Sequence, residues 1–198
     1  MEIYMLNDFM EKVRGFILKP VETFQECKED SLGNALTYYI ILVIINAILS
    51  TLVLFAGIST LSMYEKIPGM EGIFPAVLFV GIIVGGIIGV FICGAWLHIF
   101  VWLLGGRKGY EKTLKAIMYG STPGLLISWI PIIGIIGALW TLILEILGIQ
   151  ELQEMSTGRA AAAVILAVVV FVIIIIVVAL VFFMAVTRVI SASSYITH

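Results

Sequence analysis

The chain has 198 residues, of which 62% are hydrophobic and 12% charged, with a formal net charge of -2. A soluble domain runs at about 45–50% apolar and about 25% charged, so this composition excludes a soluble globular fold, and so small a charge argues against nucleic acid as a partner. Cys27 and Cys93 lie in a polar and an apolar environment respectively, and read as free thiols rather than as a disulfide framework.

Residues 1–34 mix acids, bases and apolar residues, unlike a signal peptide, which has a basic start and then a short apolar run. Leu6, Phe9, Met10, Val13 and Ile17 follow three- and four-residue steps, which predicts one apolar helical face. Lys19-Pro20 interrupts that pattern, because proline disfavours a helical residue before it. Pro20 then opens a second short helix carrying Val21 and Phe24. Such helices suit a membrane interface, or a cytoplasmic cap packed on the bundle.

Four apolar stretches follow, 35–57, 73–104, 114–149 and 160–187, and together they hold only two charged side chains, Lys115 and Glu145. A bilayer core about 30 Å thick needs roughly 20 apolar residues in a helix, and each stretch meets that length. The first span carries Asn46 and Ser50 on one face, where polar groups bond across to a neighbouring helix. The second is too long for one upright span and must tilt or project. Gly81, Gly85 and Gly89 recur along it at four-residue spacing, which predicts a helix-packing stripe, internal or between two copies.

The third stretch reads as a hairpin with Pro131 at its turn, and Pro123-Gly124 weakens or kinks its first arm. A re-entrant hairpin is the alternative, since non-helical backbone is tolerated at depth only where protein or water covers it. The fourth stretch is rich in valine and isoleucine. In lipid an isolated strand leaves its backbone unpaired, so helix is expected there too.

Basic residues set the orientation. With the N-terminus inside, nine lie on inner segments (Lys12, Arg14, Lys19, Lys28, Arg107, Lys108, Lys112, Lys115, Arg159) and two, Lys66 and Arg188, outside. The expectation is a cytoplasmic N-terminus and an outer C-terminus.

Few residues suggest chemistry. Glu145 is the one carboxylate within an apolar stretch, and an ionisable residue in a span is a functional hypothesis by default. Its nearness to Gly148 and the next loop equally suits an interfacial carboxylate. His98, between Trp96 and Trp102, is a single histidine and cannot make a metal site. Near an interface it reads as a packed ring. Arg107, Lys108, Lys112 and Lys115 form a basic loop that either contacts lipid headgroups or only sets topology. Glu151 and Glu154 lie three apart before the last span, where Arg159 or a neighbouring base is within reach for pairing. No phosphate loop, Gly-x-Ser-x-Gly elbow or His-Glu-x-x-His pair occurs, so no catalytic residue, metal or cofactor is expected.

Several short motifs keep an order and spacing along the chain: Phe16 through Pro20, Gly105-Gly106 with the bases after it, Tyr119 through Pro123, Ile130-Pro131 with Gly134, Gly148-Ile149, and Ser156 through Ala160. In this the chain resembles the Yip domain family, membrane proteins related to the Ypt/Rab-interacting proteins, and short prokaryotic members in particular. The resemblance implies a five-span helical bundle with a cytoplasmic N-terminus. In eukaryotic members it implies vesicle trafficking with small GTPases and related membrane proteins as partners. This chain has no long N-terminal region of the kind that engages soluble partners, so a small GTPase partner is not expected.

The expected fold is therefore an all-α membrane protein: a bundle of five transmembrane helices over 35–187, short amphipathic helices over 1–34, and an outer tail over 188–198. The expected role is a non-enzymatic scaffold, adaptor or membrane organiser in a prokaryotic cell membrane. Its partners are the lipid bilayer and other membrane proteins, or a second copy through the glycine stripe. The alternative is a small transporter, channel or lipid-translocating protein using Glu145 and the hairpin broken at Pro123 and Pro131.

Overall fold

A computed structural model describes the backbone of residues 2–56 and 73–196 and the side chains of 7–56 and 73–188. Lys66, His198 and the side chain of Leu6 lie outside the described residues. Every regular element among the described residues is helical. The chain divides into two compact units, Met1–Val164 and Ile165–His198.

The first unit opens with α1 (Glu2–Leu18), α2 (Pro20–Glu26) and a 3-10 turn (Cys27–Glu29). Lys19 sits between the two helices with φ -141°, outside the helical region, as a residue before proline should. Ser31 then starts α3 (Leu32–Phe55) by accepting from the Asn34 backbone N–H at 3.2 Å, a cap that satisfies one of the orphan donors of the first turn.

Helix α4 (Phe74–Leu103) runs unbroken for 30 residues, about 45 Å at the usual rise. The hairpin is built from α5 (Tyr110–Gly120), α6 (Thr122–Ile127) and α7 (Ile133–Gln153). Its first arm breaks at Ser121, just before Pro123, and its reversal lies at Pro131. There the Ile133 N–H donates to the Pro131 carbonyl at 2.8 Å across Ile132, whose φ is 71° and ψ -52°. This is a γ-turn of the rare, strained kind. The arms then close tightly: a Cβ on Gly137 would lie 2.6 Å from the Ile127 side chain, so only glycine fits. Helix α8 (Thr157–Ile196) begins in the first unit; the second unit is the rest of that helix.

Among the described residues, four helices are long and apolar enough to cross a membrane: α3, α4, α7 and residues Thr157–Arg188 of α8. The first hairpin arm is not among them, because its two pieces have 11 and 6 residues.

Two helices make their internal contacts at positions the sequence pattern does not single out. On α1 the inward residue is Phe16, with no exposed area, whereas Met10 and Ile17 of the expected face are 56% and 39% exposed. Packing beneath α1 selects Phe16, which lies one helical turn beyond Lys12 and Val13. On α4 the internal reading of the glycine stripe is corrected: a Cβ on Gly81, Gly85 or Gly89 would find no atom of this chain within 4 Å, so contact with a second copy is the reading of the stripe that remains. The internal contacts fall instead at Gly86, against Val43, and at Gly94, against Leu114 and Tyr110.

Candidate functional site

The densest polar constellation lies where the N-terminal segment meets the ends of α5 and α7. Its floor is aromatic. Phe16 stacks on Tyr119 at 5.0 Å and meets Phe24 edge-on at 4.9 Å, with Tyr38 5.4 Å from Tyr119. Phe16, Phe24 and Tyr119 are fully buried. Such rings remove much apolar area from water, and ring pairs add about 0.5–1.5 kcal/mol each beyond that area. The residues α1 and α2 lend to this floor hold them against the bundle as a cap.

Asp30, between the 3-10 turn and α3, is the hub. Its Oδ2 accepts from the Tyr119 hydroxyl at 2.6 Å and from Lys12 Nζ at 3.1 Å. Lys115 donates to the Asp30 carbonyl at 2.5 Å and the Lys28 carbonyl at 3.0 Å, and Lys112 also donates to the Lys28 carbonyl at 2.6 Å. Two lysines thus satisfy carbonyls left orphaned where the α2–turn segment ends. Burial alone would push the Asp30 carboxyl up, but the bonds from Tyr119 and Lys12 outweigh it and hold it below its ordinary value. The Cys27 thiol beside it is pushed up to about 12, by burial first and then by the Asp30 charge.

A second tie joins the cap to the end of α7. Glu154, a left-handed residue closing that helix with φ 53°, accepts from Lys28 at 2.6 Å and Lys108 at 2.5 Å. Those bonds, Lys108 first, hold its carboxyl down to about 2. Glu151 takes Gln25 at 3.0 Å. Glu154 is therefore paired with Lys28 and Lys108 rather than Arg159, and Glu151 accepts from a glutamine rather than a base.

Between α1 and α2 a polar cleft of about 660 Å3 opens to the surface. Asp8, Glu11, Glu22 and Glu26 line it, and the Lys12–Asp30 pair forms part of its wall. Nothing in the local sequence pattern marks this cleft. Asp30 looks like an ordinary loop acid, and the lone sign was Lys115, a cation in an apolar stretch that needed a partner.

The residues singled out from sequence are not brought together. Asn46 donates to the Leu125 carbonyl and to Ser128 Oγ, both at 2.7 Å, tying α3 to the hairpin. His98 Nδ1 lies 2.8 Å from Thr113 Oγ1, which also accepts from Gln153 at 2.9 Å. Glu145 is half-buried on α7 and packs against Gly120, where a Cβ would lie 3.2 Å from its Cγ.

In the basic loop, Lys115 is fully buried and bonded to carbonyls, which removes it from any headgroup surface. Lys112 and Lys108 are engaged as above. Arg107 lies over the Trp102 ring, 4.9 Å from its centroid.

The Yip1 domain family model matches residues 14–184. No curated protein and no solved structure matches the chain.

Proposed function

Because the chain belongs to the Yip1 domain family, we propose that this multi-pass integral membrane protein is a non-enzymatic scaffold or adaptor that organises other membrane proteins. The α5–α6 arm serves as a fifth, broken span. The N-terminus is cytoplasmic and the C-terminus lies outside, as the basic bias favours. The membrane is the cell membrane of a prokaryote.

The docked cap is the observation that carries this reading. Helices α1 and α2 are fixed to the bundle by the aromatic floor and by the Asp30 and Glu154 ties. That arrangement presents a preformed polar cleft on a protein that also has long apolar helices. A rigid surface lowers the ordering cost of binding a partner. Affinity capture from native membranes, read by quantitative mass spectrometry, tests it. A reproducible membrane-protein partner that is lost from an E11K/E26K variant is the expected result. Capture that is indifferent to those cleft residues would sink the reading.

The alternative is transport through the hairpin. It is favoured by Glu145, a carboxylate with no ion pair among the described residues, on a helix facing the arm broken at Ser121. Against it, the spans offer few polar groups to line a water-filled path. Movement of ions or lipids in liposomes that E145Q stops without unfolding the protein would replace the scaffold reading.

A further inference from the structure

Two arginines stand apart from the pairing that engages the bases around them. Lys28 and Lys108 hold Glu154, and Lys112 and Lys115 cap carbonyls. Among the described residues neither Arg107 nor Arg159 has a carboxylate partner. Both are exposed, and both lie at one corner, where α4 ends and α8 begins.

The corner is a tight turn that requires glycine. Gly105 has φ +104°, which an L side chain rarely adopts. Gly106 donates to the Val101 carbonyl at 2.8 Å, and a Cβ on it would overlap Val101 and press Met155 at 3.1 Å. The Arg159 guanidinium covers this turn: its Nη1 would lie 3.5 Å from a Cβ on Gly105. Arg107 is held by stacking on Trp102 at 4.9 Å and by donating to the Gly106 carbonyl at 3.1 Å and to the Trp102 carbonyl. Each guanidinium has five N–H donors, so donors remain on both.

On the α4 side this corner borders exposed apolar side chains. Trp102 and Leu103, 54% and 63% exposed, close the spanning helix α4. Tryptophan favours the depth at which headgroups meet acyl chains. Guanidinium is the side chain best matched to phosphate oxygens. Two uncompensated guanidinium groups therefore sit at headgroup level beside a surface that acyl chains wet. A soluble phosphate would use the first feature and not the second.

We propose that Arg107 and Arg159, set around the Gly105–Gly106 turn beside Trp102, bind the phosphate of an anionic membrane lipid. The proposal rests on the membrane-spanning reading. It shifts the lipid contact away from Lys108, Lys112 and Lys115 and adds Arg159, which the basic loop alone does not include.

The test uses the full chain in nanodiscs of mixed phosphatidylglycerol and phosphatidylcholine, with retained lipid read by native mass spectrometry. Phosphatidylglycerol should be enriched on the wild-type chain. At about 1 kcal/mol per basic residue near an anionic headgroup, R107Q or R159Q alone should weaken retention about fivefold and the pair about thirtyfold. K19Q, which alters an exposed lysine paired with Glu22, should change nothing. Retention unaffected in R107Q/R159Q would overturn the site. Displacement of the lipid by inorganic phosphate at equal concentration would overturn the lipid as its source.

Should the glutamine variants misfold, photoactivatable phosphatidylglycerol on the wild-type chain decides the matter. Adducts on residues 102–107 and 156–159 support the site, and adducts elsewhere refute it. Alkaline carbonate extraction separates this proposal from the reading beneath it. A chain that stays with the membrane but retains no phosphatidylglycerol defeats only the lipid site, whereas a chain that is released defeats both.

Discussion

Tyr119 donates its hydroxyl to Asp30 Oδ2 at 2.6 Å, and the same oxygen receives Lys12 at 3.1 Å, so one carboxylate oxygen ties α5 to α1. A hydrogen bond to a charged group contributes about 1.5–3 kcal/mol. Y119F removes one such bond and keeps the ring in the aromatic floor; D30A removes both. The thermal midpoint of the detergent-solubilised protein should fall in the order wild type, Y119F, D30A. Equal midpoints would mean the hub contributes nothing.

The same carboxylates make cap docking acid-sensitive. Asp30 and Glu154 are both held below their ordinary values in the folded protein, Glu154 from 4.5 to about 2. Depressed acids give stability that is complete above the unfolded value and is lost as pH falls through the folded one. The share of stability from these two acids should be complete above about pH 5 and should be lost, with a fall in thermal midpoint, between about 4.5 and about 2. The Glu154 pairs are exposed, so salt should weaken their share. E154Q should shrink the acid step, and an unchanged step would assign it elsewhere.

Cys27 reports whether the cap is seated. It is 2% exposed, and its thiol is pushed up to about 12. The thiolate is the reactive form, so in a Cys93→Ser background Cys27 should resist a water-soluble maleimide at neutral pH. D30A should speed labelling at least tenfold. Equal rates would show that the cap is seated without Asp30.

Glycines separate the internal packing surface from the outer one. A Cβ on Gly148 would lie 2.8 Å from two Phe24 ring atoms and 3.1 Å from Ala116. G148A should therefore lose about 1–3 kcal/mol through overpacking between α7 and the cap. G85A meets open space and should leave the midpoint unchanged or slightly raised, since alanine is the better helix former. A G85A loss as large as that of G148A would reverse the facing of α4.

The parts of this molecule legible in its sequence are those governed by local chemistry. Apolar length marked the spanning helices. Pro20, Pro123 and Pro131 marked the α1–α2 joint, the broken arm and the reversal, because proline acts on its own backbone. Facing was legible on α3, where Asn46 bonds across to the hairpin, but not on α4. A helix apolar all round carries no directional pattern, so Gly85 and Gly86 look alike until Val43 is seen beside one of them. The Asp30 hub joins residues 89 positions apart, and such a pairing leaves no local trace. Arg159 was counted for topology, but only the turn at Gly105 brings it beside Arg107.

The most direct test of the scaffold account places a photo-crosslinking amino acid at Glu26, on the α1–α2 cleft, in the full chain within native membranes. Discrete adducts with another membrane protein, lost when D30A unseats the cap, are the expected result. No protein adduct at Glu26, together with Glu145-dependent ion movement by the same protein in liposomes, would contradict the account and put transport in its place.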